Sequence, residues 1–224
     1  MPKPQRTFEE IEQTKTEILE QTVLLIAEVG YNNFTMRKLA ARLGITATTI
    51  YNYYKNKDDL FLNLLIRGFR ELYARLEEAD RSQATPAEKL RAMISAYTDF
   101  GLNDANFYNL MYAWHVPKFN DYVGTSLEPV ARRQLEGALK IPEIFSITIK
   151  AYAEASNKSI TDDETVFLMI HYWSHIHGFI AGCNNMTLYY LHKDPIAFKE
   201  QHIDSITEKF REDVLRLKDQ GEKK

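Results

Sequence analysis

Between Tyr31 and Lys57 the sequence places five basic residues, Arg37, Lys38, Arg42, Lys55 and Lys57, and no acidic one. Each Lys or Arg that displaces a condensed counterion from a polyanion gains salt-dependent free energy, so this bias suits a surface that meets nucleic acid. Interleaved with these charges stand Thr46, Thr48, Thr49, Tyr51, Asn52 and Tyr53. Their hydroxyls and amide can reach phosphate oxygens or base edges without burying a charge. No other stretch combines residue types and spacing with an equally definite chemistry.

Positioning these side chains takes two short helices and a tight turn. Thr35 caps a helix over residues 36–43 whose Met36, Leu39, Ala40 and Leu43 share one buried face. Gly44 ends it by offering a left-handed conformation, and Thr46 caps a second helix expected over residues 47–54. Two such helices joined by a turn of three or four residues form a helix-turn-helix, with the second helix entering the major groove. Residues 8–29, apolar at Ile11, Ile18, Thr22, Leu25, Ile26 and Val29 and closed by Gly30, form the strut beneath them.

From Ile18 to Leu60 the order I-L, G-Y, F-T, L-A, L-G-I-T, T-I-Y-N-Y-Y, K-x-K-D-x-L resembles the tetracycline-repressor (TetR) family of bacterial transcriptional regulators. One position departs: Thr48 stands where the family often has Gly. The resemblance implies that Lys57 anchors a DNA phosphate and that the helix it opens links the reading head to the body. Thr35, Arg37, Tyr53 and Lys57 are then expected mainly to hold phosphates and Ala47, Thr48 and Asn52 to face base edges; Thr49 and Tyr51 could serve either, and Thr46 belongs to the same surface.

Composition sets the outer bounds. A chain of 224 residues, 45% hydrophobic and 26% charged, has enough interior for one or two globular domains. Its single cysteine, Cys183, excludes an intramolecular disulfide, no run approaches the ~18–20 apolar residues of a membrane span, and the first ten residues lack a signal core. A cytoplasmic location is the expectation. The net charge of −3 is divided: residues 1–57 hold eight basic and six acidic residues, the remainder 20 basic and 25 acidic. A basic head on an acidic body turns one end toward DNA.

The rest of the chain reads as helix throughout. Residues 1–7, with two prolines, form an arm. The helix opened by Lys57 carries Leu60, Leu64, Phe69, Leu72 and Leu76 on one face. Thr85-Pro86-Ala87-Glu88 and Thr161-Asp162-Asp163-Glu164 are capping boxes, and Thr125 with Glu128 has the same spacing. A break is expected at residues 101–104, a short helix follows that Pro117 ends, and helices are expected through Val130 and Leu135 and over residues 141–156. Residues 166–191 are apolar nearly all round, which calls for burial on more than one side, and Phe198, Ile203, Ile206, Phe210, Val214 and Leu217 make a final stripe. These last two helices could pair with the same two of a second copy in a four-helix bundle. The fold expected is all-α: residues 1–57 a DNA-binding domain, 58–80 a linking helix, 81–224 a helical domain for effector binding and dimerisation.

In the body, Trp173, His177 and Gly178 (YWSHIHGF), with Ala96-Tyr97 to Tyr112, resemble a Trp-His-Gly subgroup of the same family. Phe107, Tyr108, Met111, Trp114, His115, Tyr152, Trp173 and His177 could line an apolar small-molecule cavity; aromatic residues at helical spacing also serve as plain core. His171 and His175, four apart, lack a third ligand and the Glu of a zinc-hydrolase motif, so no metal is expected. No nucleophile with a base, phosphate loop or paired carboxylate stands out, so neither enzyme chemistry nor a cofactor is expected. The sequence points to a homodimeric regulator that binds a near-palindromic operator and, as the family implies, is a repressor released by a small hydrophobic or aromatic effector. Two other readings stay open: a DNA-binding protein whose body holds a protein partner, and a helical enzyme or carrier. Operator, regulated genes, effector and the sign of regulation are not written in the residues.

Overall fold

The computed structural model describes residues 7–114 and 116–219. The expected arm, but for Thr7, and His115 lie outside the described residues. Among those described there is no strand, only a single bridge between Lys158 and Asp219. Nine α-helices follow in order: α1 Phe8–Val29, α2 Met36–Leu43, α3 Ala47–Tyr51, α4 Lys57–Arg81, α5 Pro86–Asn103, α6 Ala105–Tyr108, α7 Glu128–Ala155, α8 Asp162–Asn184 and α9 Lys199–Leu215.

Packing divides the chain into two compact units. The first holds the chain up to Gly68 together with Leu110–Glu136; the second holds Phe69–Asn109 and the chain from Gly137 onward. The first is built from the bottom up as the sequence suggests. Thr35 accepts the Lys38 amide at 3.2 Å, Gly44 closes α2 at φ 65°, and Thr46 accepts the Thr49 amide at 3.2 Å. Ile18, Ile26, Phe34, Leu39 and Ile50 form its interior. A strap within residues 110–136 joins this unit, where Tyr122, Leu127 and Ala131 bury against Leu62 of α4 with Phe119 and Val130 at the edge.

In the second unit α5 packs against α8 and α9. Both expected capping boxes form, Thr85 with Glu88 and Thr161 with Glu164. Leu90, Met93, Ile94, Tyr97 and Phe100 of α5 face Leu168, Tyr172, Ile176 and Ile180 of α8 and Ile203, Ile206 and Phe210 of α9 across a common core.

Several expectations are corrected. Helix α3 stops at Tyr51, not near Tyr54, because the Tyr53 amide turns in to the Ile50 carbonyl (2.9 Å) and tightens the last turn. The break expected within residues 101–104 does form, but at Asp104 alone, with Gly101 inside α5. Helix α6 passes into a π-helical turn, Asn109–Ala113, which ends before Pro117 is reached. Thr125 and Glu128 form no box: Gly124 at φ 77° turns the chain so that Glu128 accepts the Gly124 amide (2.8 Å), while Thr125 donates to the Tyr122 carbonyl (2.7 Å). The two expected helices that follow are one, since Pro142 removes a backbone donor without ending α7. Helix α8 ends at Asn184, where Met186 turns left-handed at φ 66°, and a 3₁₀ turn covers Thr187–Tyr190.

Candidate nucleic-acid interface

Ile50 is fully buried beneath α3, which leaves the rest of that helix on the surface. Thr46, Thr48, Tyr51 and Asn52 are exposed, Ala47 and Thr49 half-buried, and Thr35, Arg37 and Lys55 exposed beside them. Arg37 and Lys55 make no side-chain bond among the described residues. The Thr49 hydroxyl lies 3.0 Å from that of Thr46, so these two act as one polar group. Tyr53 is half-buried and has partners of its own. All ten residues expected on this surface therefore fall in one unit, on or beside one helix-turn-helix.

The basic residues do not all serve the same end. Arg42 turns back onto α1, donating to Gln21 at 2.8 Å and to the Glu28 carboxylate at 2.6 Å, and braces the strut. Lys38 donates to the Asn33 carbonyl at 2.9 Å. Lys57, half-buried, donates to the Tyr31 carbonyl at 2.6 Å and lies 4.0 Å over the Tyr31 ring. Burial holds its ammonium below the ordinary lysine range, opposed by the Asp58 charge. Sequence reasoning missed Tyr31 and Asp58 around this lysine; the acidic pair Asp58-Asp59 in the first turn of α4 suits a helix start and could have pointed to it.

The aromatic residues that could line one cavity are divided between the two units. Tyr108, Trp173 and His177 do come together: the Tyr108 hydroxyl meets His177 Nδ1 at 2.6 Å, and Trp173 stacks on His177 at 4.6 Å. Trp173 also donates from Nε1 to the Tyr97 hydroxyl at 2.8 Å. Tyr152 stands apart, edge-on to Phe210 at 5.3 Å, and Phe107 is buried in α6. Met111 and Trp114 belong to the first unit, where Trp114 and Val116 wall a cleft of about 440 Å³ with Ile26, Ala27, Gly30, Tyr31, Asn32 and Asn33.

Burial pushes His177 and His202 below the ordinary histidine range, and His202 Nε2 is buried without a hydrogen-bond partner among the described residues. A base whose folded-state pKa is lowered stabilises the fold above its unfolded value of 6.5 and loses that contribution as pH falls through the folded value. The urea midpoint is expected to fall between pH 7.5 and pH 5, and to fall less in His177→Gln. An equal fall in that variant would assign the acid sensitivity elsewhere.

An exposed polar helix on a buried aliphatic footing, with free cations at its flanks, is the build of a protein that reads DNA by helix-turn-helix. Comparison with known proteins is specific. Residues 18–64 match the family described as bacterial regulatory proteins, tetR family, and residues 90–205 match the tetracyclin repressor-like C-terminal domain. The chain belongs to the TetR family.

Among curated relatives, the fatty acid metabolism regulator protein of Bacillus subtilis is 34% identical over 90 residues, covering 40% of this chain and 46% of its own. The transcriptional activator FasR of Mycolicibacterium smegmatis is 29% identical over 109 residues, 49% of this chain and 46% of its own. The chain thus spans less than half the length of these relatives. Among solved structures, FadR from Bacillus subtilis in complex with stearoyl-CoA superposes with a TM-score of 0.66 at 20% identity, covering 86% of this chain and 97% of that one. A Rhodococcus protein of unknown function reaches 0.70 at 16% identity over 96% and 100%. These likenesses establish the fold. Among the described residues no helix is long and apolar enough to cross a membrane.

Proposed function

We propose that this chain is a homodimeric transcriptional repressor that reads a near-palindromic operator with α3 and leaves it when a hydrophobic effector binds. In this reading residues 1–57 are the reading head, 58–80 the lever, and 81–224 the part that takes the effector and the second copy. The observation that carries it is the exposed row Thr46, Thr48, Tyr51 and Asn52 on the buried footing of Ile50, flanked by Arg37 and Lys55. The named fatty-acid regulator and the stearoyl-CoA complex support a long-chain acyl thioester as the effector class. Such a ligand releases DNA only by preferring a conformation with the heads wrongly spaced, since equal affinity for both states shifts nothing. The dimer reading rests on α8, whose Val166, Phe167 and Ile170 are exposed in the isolated subunit. Two reading helices would then enter successive major grooves ~34–36 Å apart.

The test is selection of the protein on a pool of random duplexes, followed by competition of the enriched duplex with stearoyl-CoA. Enrichment of an inverted repeat and release by the thioester are the expected results; an unstructured pool would overturn the operator reading. Within the enriched duplex, Asn52→Ala is expected to relax preference at one base pair by roughly 1–3 kcal/mol. Lys57→Ala is expected to weaken all sequences alike and to flatten the salt dependence. Uniform loss from both changes would count against Asn52 as a base reader.

A further inference from the structure

Lys57 stands at the start of a helix whose next two residues are Asp58 and Asp59, an awkward place for a cation meant to meet phosphate. A free carboxylate one residue away competes with DNA for the same ammonium. The structure shows both carboxylates committed elsewhere. Asp59, almost fully buried, accepts the Lys55 amide at 2.8 Å and the Asn63 side chain at 3.1 Å. Asp58 accepts the Tyr31 hydroxyl at 2.5 Å. Lys57 forms no ion pair among the described residues; its ammonium rests on the neutral Tyr31 carbonyl and ring face.

We propose that Tyr31 is the positioning residue for Lys57: its hydroxyl occupies Asp58 while its carbonyl parks the ammonium, so that the lysine is free to leave for a DNA phosphate. A neutral acceptor holds a cation less firmly than a carboxylate does, and the phosphate therefore wins it. Tyr31 is itself fixed at three points. Gly30 at φ 76° ends α1 and turns the Tyr31 backbone out of the helix, Phe61 of α4 meets its ring edge-on at 4.7 Å, and Asp58 holds the hydroxyl. The Tyr122 hydroxyl of the strap is buried and makes no hydrogen bond to Asp58 among the described residues, so Asp58 remains with Tyr31. Burial and the neighbouring Asp58 charge push Tyr31 above the ordinary tyrosine range, which keeps the donor proton in place at any physiological pH.

This inference rests on the reading of Lys57 as a phosphate contact. Its test is binding of the full chain to a labelled duplex of arbitrary sequence across a KCl series, because phosphate contacts are independent of sequence. Lys57→Ala is expected to reduce the slope of log affinity against log salt by ~0.9 per subunit, the value of one phosphate contact. Tyr31→Phe keeps the ring and the carbonyl but frees Asp58 to take the ammonium, and is expected to lose nearly as much slope. Adding Asp58→Asn is expected to restore the wild-type slope. A purely structural role for Tyr31 would give no such rescue. A wild-type slope in Tyr31→Phe, or a double variant that stays flat, overturns the proposal. If the wild-type slope is unchanged by Lys57→Ala, the phosphate reading fails first and takes the proposal with it. Melting curves check each fold, and should Tyr31→Phe unfold at the working temperature, the whole series is run below its melting midpoint.

Discussion

Replacing Phe167 and Ile170 together by aspartate is expected to split the proposed dimer and to lower affinity for its operator by roughly 10²–10⁴-fold, the gain that joining two binding modules ordinarily confers. The two side chains are 65% and 62% exposed in the subunit, so their removal costs the isolated fold little. At a two-fold interface, each copy would bring two carboxylates into a face built on the apolar side chains of Val166, Phe167 and Ile170, with the His171 ring stacked on Phe167. Buried unpaired charge is strongly unfavourable, so the interface opens before the subunit does. Sedimentation at a fixed protein concentration reads the first effect and titration of the enriched duplex reads the second. A variant that stays dimeric would place the interface on another face. One that becomes monomeric but binds as tightly as before would show that two linked heads are not needed.

The same helix shows what the residues disclose and what they withhold. The near-continuous apolar character of α8 is a statement about both of its sides, and the sequence calls for two burials. Among the described residues one is supplied, through Thr165, Leu168, Tyr172, Ile176, Ile180 and Cys183. Local signals are equally legible. Thr35, Thr46, Thr85 and Thr161 cap their helices because the hydrogen bond involved spans three residues and depends on little else. Thr125 and Glu128 have that same spacing and fail, since a left-handed Gly124 gives Glu128 a nearer amide. The reading head was legible for the same reason, being assembled from neighbours in sequence. The grouping of the body's aromatic residues was not. Tyr108 finds His177 across 69 residues, and Trp173 finds Tyr97 across 76, by the packing of whole helices, which no spacing rule encodes. Tyr31 and Asp58, 27 residues apart, escaped notice for that reason too.

Gly101 is the sharpest case, and it carries the second large expectation. As a glycine followed by Leu102, Asn103 and Asp104 it reads as a helix end, because glycine adopts backbone conformations that other residues avoid. Its backbone is helical all the same, and the reason for glycine is space. A Cβ built there would stand 2.7 Å from two carbons of Ile180, itself fully buried on α8, while the Gly101 carbonyl accepts the Asn184 amide at 2.9 Å. Close approach of α5 and α8 thus holds the helix that presents Trp173, His177 and the Phe167 face. Gly101→Val is expected to destabilise the chain by about 2–3 kcal/mol through overpacking, read as a lowered urea midpoint. Gly101→Ala is expected to cost less, because alanine recovers ~1 kcal/mol of helix propensity that glycine forgoes. Ile180→Ala added to Gly101→Val is expected to be less harmful than the sum of the two changes, since the cavity of one receives the excess volume of the other. Strict additivity would mean that the two side chains do not compete for the same space.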